Sequence, residues 1–100
     1  MIQDPPTTIV GLMHAEMSLP LCNSLKDKRS ALRPCIQHLR ADLNLAVAEV
    51  ADQDVWRSAV LAVVAVSGDK VIVENLLHQA LEYLERRPDV EVTDAQVQIL

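Results

Sequence analysis

Few residues in this chain have the type and spacing for chemistry, and most of those that do are positive. The segment NSLKDKRSALRPCIQHLR, residues 23–40, holds five of the nine Lys and Arg residues of a chain whose net charge is −5. At about 100° per residue, a helix through this segment puts Lys26, Arg29, Arg33 and Arg40 on one flank, with Gln37 beside them and Lys28 on the opposite flank. A ridge of this kind can follow a nucleic-acid backbone, and Arg suits bidentate contacts to phosphate. The competing reading is a solvated helix face, or pairing with the acidic residues 69–100, which carry seven acids against three bases.

Other constellations are thinner. His14 and Glu16 share a strand face, with Arg57 expected nearby. A His–carboxylate pair can do acid–base work, but no nucleophile accompanies it, so a polar surface patch is the plainer reading. Glu74, His78 and Glu82 recur every four residues without a second histidine in register, which is a poor ligand set for a metal. Cys22 precedes a helix N-terminus, where a thiol pKa can fall. Cys35 borders an apolar stripe and reads as a small hydrophobe. Two cysteines do not make a disulfide framework. SGDK has one glycine, far from a phosphate-cradling loop, and the chain contains no CxxC or GxxxxGK pattern. No catalytic residue, cofactor, metal or small-molecule substrate is therefore expected. Trp56 reads as a core or hairpin-capping residue, or as a partner hot spot.

The elements that position these residues follow from period. Residues 1–7, with Pro5 and Pro6, form an extended lead-in, and residues 8–100 form one domain. Residues 8–19 alternate between a dry face (Met13, Ala15, Met17) and a mixed one (Leu12, His14, Glu16), as a strand does. Ser24 caps a helix over 25–42, with Asp27 at its third position. Pro34 lies inside it and predicts a kink or break. Residues 45–50 and 55–67 form a hairpin, 69–86 a second helix, and the chain ends in a strand. No apolar run spans a bilayer, and MIQDPPTT is not a secretory signal, so the cytoplasm is the expected location. The order β-α-β-β-α-β predicts an α+β ferredoxin-like fold: a four-stranded antiparallel sheet with two helices on one face.

Three pieces, SLKDKR at 24–29, VAEV at 47–50 and QDVW at 53–56, resemble the bacterial YlxP family, small domains of unknown function. The likeness runs through residues 8–100 and implies the same ferredoxin-like fold. Members are often encoded beside transcription and translation factors, which implies an RNA or ribosomal connection and brings no catalytic residues.

Two functional expectations result. The first is a non-enzymatic module that meets RNA or a ribosomal particle through Lys26, Arg29, Arg33 and Arg40. The central strands lack the Phe and Tyr on which RNA-recognition sheets stack bases, so contact is expected on the helix. The second is a protein-interaction domain, for example a homodimer, acting through the uncovered sheet face. Its expected contact residues are Leu12, His14, Arg57, Leu61 and Val63.

Overall fold

The computed structural model describes residues 3–100; Met1 and Ile2 of the expected lead-in lie outside the described residues. Six elements follow in the order β1 (Ile9–Ser18), α1 (Leu25–Ala41), β2 (Ala46–Ala51), β3 (Ser58–Ser67), α2 (Lys70–Arg86) and β4 (Glu91–Ile99). The sheet order is β2-β3-β1-β4 and every pairing is antiparallel, the ferredoxin-like α+β arrangement. Among the described residues, no helix is long and apolar enough to cross a membrane.

The core lies between the helices and one sheet face. Met13, Ala15, Met17 and Leu19 supply that face on β1 and the residue following it, and all are buried. Their partners fix which side of β3 joins them: Met13 pairs with Val63 and Ala15 with Leu61. Directly paired residues point to the same face, so Leu61 and Val63 are core residues, each 0% exposed. This corrects the expectation that they belong to an interface. Because β3 is apolar on both sides, alternation alone could not say which side meets the helices.

Two boundaries also differ from expectation. β3 begins at Ser58, not at residue 55, because residues 52–57 form a turn. Helix α1 runs unbroken through Pro34. The carbonyl that the missing N–H would have bonded belongs to Ser30, which is exposed, so water can satisfy it.

Candidate nucleic-acid interface

Helix α1 is well started. The Asp27 N–H donates to Ser24 Oγ at 3.0 Å, and the Asn23 N–H donates to Asp27 Oδ2 at 3.0 Å. This reciprocal cap sets the phase of the helix. It turns Lys28, Ala31, Leu32, Cys35 and Leu39 into the protein. The flank that carries Lys28, opposite the basic ridge as expected, is thus the buried one, and Lys28 is only 2% exposed.

A buried ammonium needs partners for its three donors. Lys28 Nζ donates to the carbonyls of Asp52 at 2.6 Å and Val55 at 2.8 Å. It also meets Glu49 Oε2 at 2.7 Å, an ion pair rather than an aligned hydrogen bond. The turn that presents the carbonyls is itself shaped. Asp52 sits at φ 60°, in the left-handed region that Asp tolerates better than most residues. Its carboxylate accepts from Ser58 Oγ at 2.9 Å, and its carbonyl also accepts from the Val55 N–H at 3.0 Å. The staple therefore joins SLKDKR through Lys28, VAEV through Glu49 and the ADQDVW turn through Asp52 and Val55. The three short pieces singled out in the sequence meet at one point.

Outside the staple, α1 and the edge strand β2 enclose a groove of about 340 Å3. Leu25, Leu32 and Ile36 give it apolar surface, while Glu49 and Gln53 line it from the β2 side. Arg29, Arg33 and Arg40 line it together, with Gln37. Arg40 Nη2 donates to the Val47 carbonyl at 2.5 Å, bracing the helix against the free edge of the sheet. Lys26 is exposed on the same helix but does not line the groove. Among the described residues, none of these four cations forms an ion pair with a carboxylate, whereas Lys28, expected on the opposite flank, does. Counting the lining side chains, Lys28, Arg29, Arg33 and Arg40 oppose Glu49 alone, for a balance of +3.

The remaining residues fall elsewhere. Leu12 is half-buried and His14 exposed, both on the uncovered sheet face, where they pair with Val64 and Ala62. Arg57 does not join them, which corrects its assignment to that interface. Its Nε donates to the Cys22 carbonyl and its Nη2 to Asn23 Oδ1, both at 2.9 Å, so it ties β3 to the β1–α1 loop. Cys22 is buried, and burial pushes its thiol pKa up, with Asp27 adding to the effect, so the shift runs opposite to the lowering that a helix N-terminus can cause. Trp56 lies in the 52–57 turn, 51% exposed, and is not a core residue. His78 pairs with Glu82 at 2.6 Å and Lys70 with Glu74 at 3.9 Å on the outer face of α2. His38 stacks on Tyr83, with ring centroids 3.9 Å apart, where the two helices approach.

Lys28 was missed as a structural residue although a signal existed. It lies four residues before Leu32 and seven before Cys35, and so on the buried stripe of the same helix. What periodicity cannot see is the partners, two of which are backbone carbonyls in a turn.

Comparison with known proteins bears on the family and the fold. Residues 10–97 match the family described as Protein of unknown function (DUF503). The Uncharacterized protein YlxP of Bacillus subtilis (strain 168) is 27% identical over 85 residues, which cover 85% of this chain and 92% of that protein. Among solved structures, the De novo designed protein Foldit4 superposes with a TM-score of 0.54 at 12% identity, covering 93% of this chain and 96% of the designed one. At that identity the likeness concerns the fold alone.

Proposed function

The chain belongs to the DUF503 family of proteins of unknown function, and from that premise we propose a non-enzymatic RNA-binding module whose α1 groove takes the phosphate backbone. One observation carries the proposal. Arg29, Arg33 and Arg40 line a single groove, and none is neutralised by a carboxylate among the described residues. Lys26 extends the positive strip beyond the groove. Because the whole chain carries a net charge of −5, attraction to a polyanion has to be local, as this strip is. The uncovered face of β1 and β3 offers no Phe, Tyr or Trp for base stacking, so contact falls to the helix and concerns backbone and shape. The protein would do this in the cytoplasm, where RNA and ribosomal particles are available.

The test is fluorescence anisotropy on a structured ribosomal RNA fragment across a salt series. Wild type should bind at low salt, with log K falling linearly against log salt. Arg29→Gln with Arg33→Gln removes two phosphate contacts and should flatten that slope by about 1.4–1.8. Both residues are exposed, so the double variant should keep its stability to within about 0.5 kcal/mol. No binding at low salt, or binding unchanged by the two substitutions, overturns the proposal.

A further inference from the structure

The turn between β2 and β3 carries an aromatic side chain that the core does not use. Trp56 is the chain's one tryptophan and stands half exposed in that turn. The residues on either side of it are both fastened to α1 or to the loop just before it. The Val55 carbonyl, part of the peptide bond leading into Trp56, accepts from Lys28 Nζ at 2.8 Å. Arg57 donates from Nε to the Cys22 carbonyl and from Nη2 to Asn23 Oδ1, and its own carbonyl accepts from the Leu19 N–H at 3.0 Å. An exposed indole on a backbone pinned at both neighbours offers a large contact surface with little left to order on binding.

The same anchors place it beside the α1 groove. Lys28 and Gln53 both line that groove. Lys28 reaches the peptide next to Trp56, and Gln53 precedes Trp56 by three residues, a span of about 11 Å at most. Trp56 thus stands near the end of the groove where α1 begins, and Arg29, Arg33 and Arg40 lead away from it along the helix.

Taking the groove as a phosphate site, the reading on which this rests, we propose that Trp56 stacks one unpaired base of the RNA whose backbone the groove holds. The protein then selects RNA with an unpaired nucleotide next to the bound backbone. A base inside a duplex has both faces covered by its neighbours, whereas an unpaired base offers a face to the indole. Every base has such a face, so the contact selects for single-strandedness and not for sequence. One base is the limit at this end, because the chain's one tyrosine, Tyr83, is already stacked on His38 between the helices.

The test compares two RNA duplexes of identical stem at low salt, one blunt and one with a short single-stranded overhang. Anisotropy reads binding. With a single tryptophan in the chain, selectively excited intrinsic fluorescence reads contact at Trp56 alone. The overhang duplex should bind about fivefold or more tightly than the blunt one and should quench the fluorescence. Trp56→Ala should abolish the preference and Trp56→Tyr should keep most of it. Neither should change the slope of log K against log salt, since no phosphate contact is lost; Arg29→Gln with Arg33→Gln changes that slope instead. Far-UV circular dichroism checks that the alanine variant is folded, and the wild-type fluorescence decides independently of it. Equal binding of the two duplexes, overhang binding without quenching, or a preference that survives Trp56→Ala overturns the inference and leaves the groove reading standing. Binding of neither duplex overturns both.

Discussion

The two helices have the same length, 17 residues each, and cover the same sheet face, yet they are seated by different physics. Helix α2 lies over β1, β3 and β4 and buries only Val73, Leu77, Ala80 and Leu84. Its seat is shape: β1 has Gly11 beneath it, where a Cβ would come within 2.5 Å of Val73 Cγ1 and 2.9 Å of Leu77 Cδ1. Helix α1 packs chiefly along β2, a strand with only one hydrogen-bonded neighbour. It buries a lysine among its apolar residues and is fastened by directional contacts, Lys28 to the 52–55 turn and Arg40 to Val47. An apolar seat leaves the exposed face of a helix uncommitted. A polar seat at a sheet edge instead brings charged side chains to the boundary itself, which is where the α1 groove lies.

The sharpest way to break this contrast is to remove the staple. Lys28→Ala leaves two carbonyls and Glu49 without their cation, and truncating one partner of a buried pair costs about 3–5 kcal/mol. Combining Lys28→Met with Glu49→Gln should cost less, because no charge is left uncompensated. Urea denaturation measures both. If Lys28→Ala costs no more than a surface substitution, α1 is held by its apolar stripe alone and the two helices are seated alike.

The α2 side is probed with glycine. Gly11→Ala forces a methyl group against Val73 and Leu77 and should cost about 1–3 kcal/mol by overpacking. Gly68→Ala is the control: its added Cβ meets only the Thr7 carbonyl oxygen, at 3.5 Å, an ordinary contact. That substitution should be neutral or stabilising by a few tenths of a kcal/mol. Equal losses at the two glycines would show that close packing under α2 is not what seats it.

The same contrast explains what the sequence could and could not disclose. Alternation in β1 and the stripe on α2 are apolar patterns, and they were legible. Val73, Leu77, Ala80 and Leu84 are buried on the face that the 3.6-residue period marks. The four-stranded order followed from the succession of periods. The polar half was legible only in outline. Arg29, Arg33 and Arg40 could be placed on one flank, but the β2 wall that turns that flank into a groove depends on tertiary packing. Lys28 could be placed on the opposite flank, but its burial could not be read, because its partners are a turn's carbonyls and a glutamate 21 positions later. Arg57 looked like a sheet-face residue until the strand was seen to begin one residue after it. In both cases side-chain chemistry was visible in the sequence and its partner was not.

The smallest expected effect tests whether the α1 half is also where the structure yields first to alkali. Cys35 on α1 and Cys22 just before it are both buried free thiols, and burial is the leading cause that raises both pKa values above the ordinary 9.0. In the unfolded chain they ionise near that ordinary value, while in the folded protein they hold their protons to higher pH. Between the two values the folded state binds more protons than the unfolded state, so stability falls as pH rises. The contribution is fully present below about pH 9 and is lost progressively above it. Tyr83, on α2 but facing Cys35, is shifted in the same direction, again chiefly by burial, and adds a later loss above its ordinary 10.0. Urea midpoints at neutral pH and at mildly alkaline pH should therefore diverge in wild type. In Cys35→Ala the midpoint drops at every pH because of the lost packing, but its decline with pH should be shallower. An unchanged decline in Cys35→Ala would mean that the α1 thiol does not govern the alkaline loss, and would remove alkali sensitivity from the differences between the two helices.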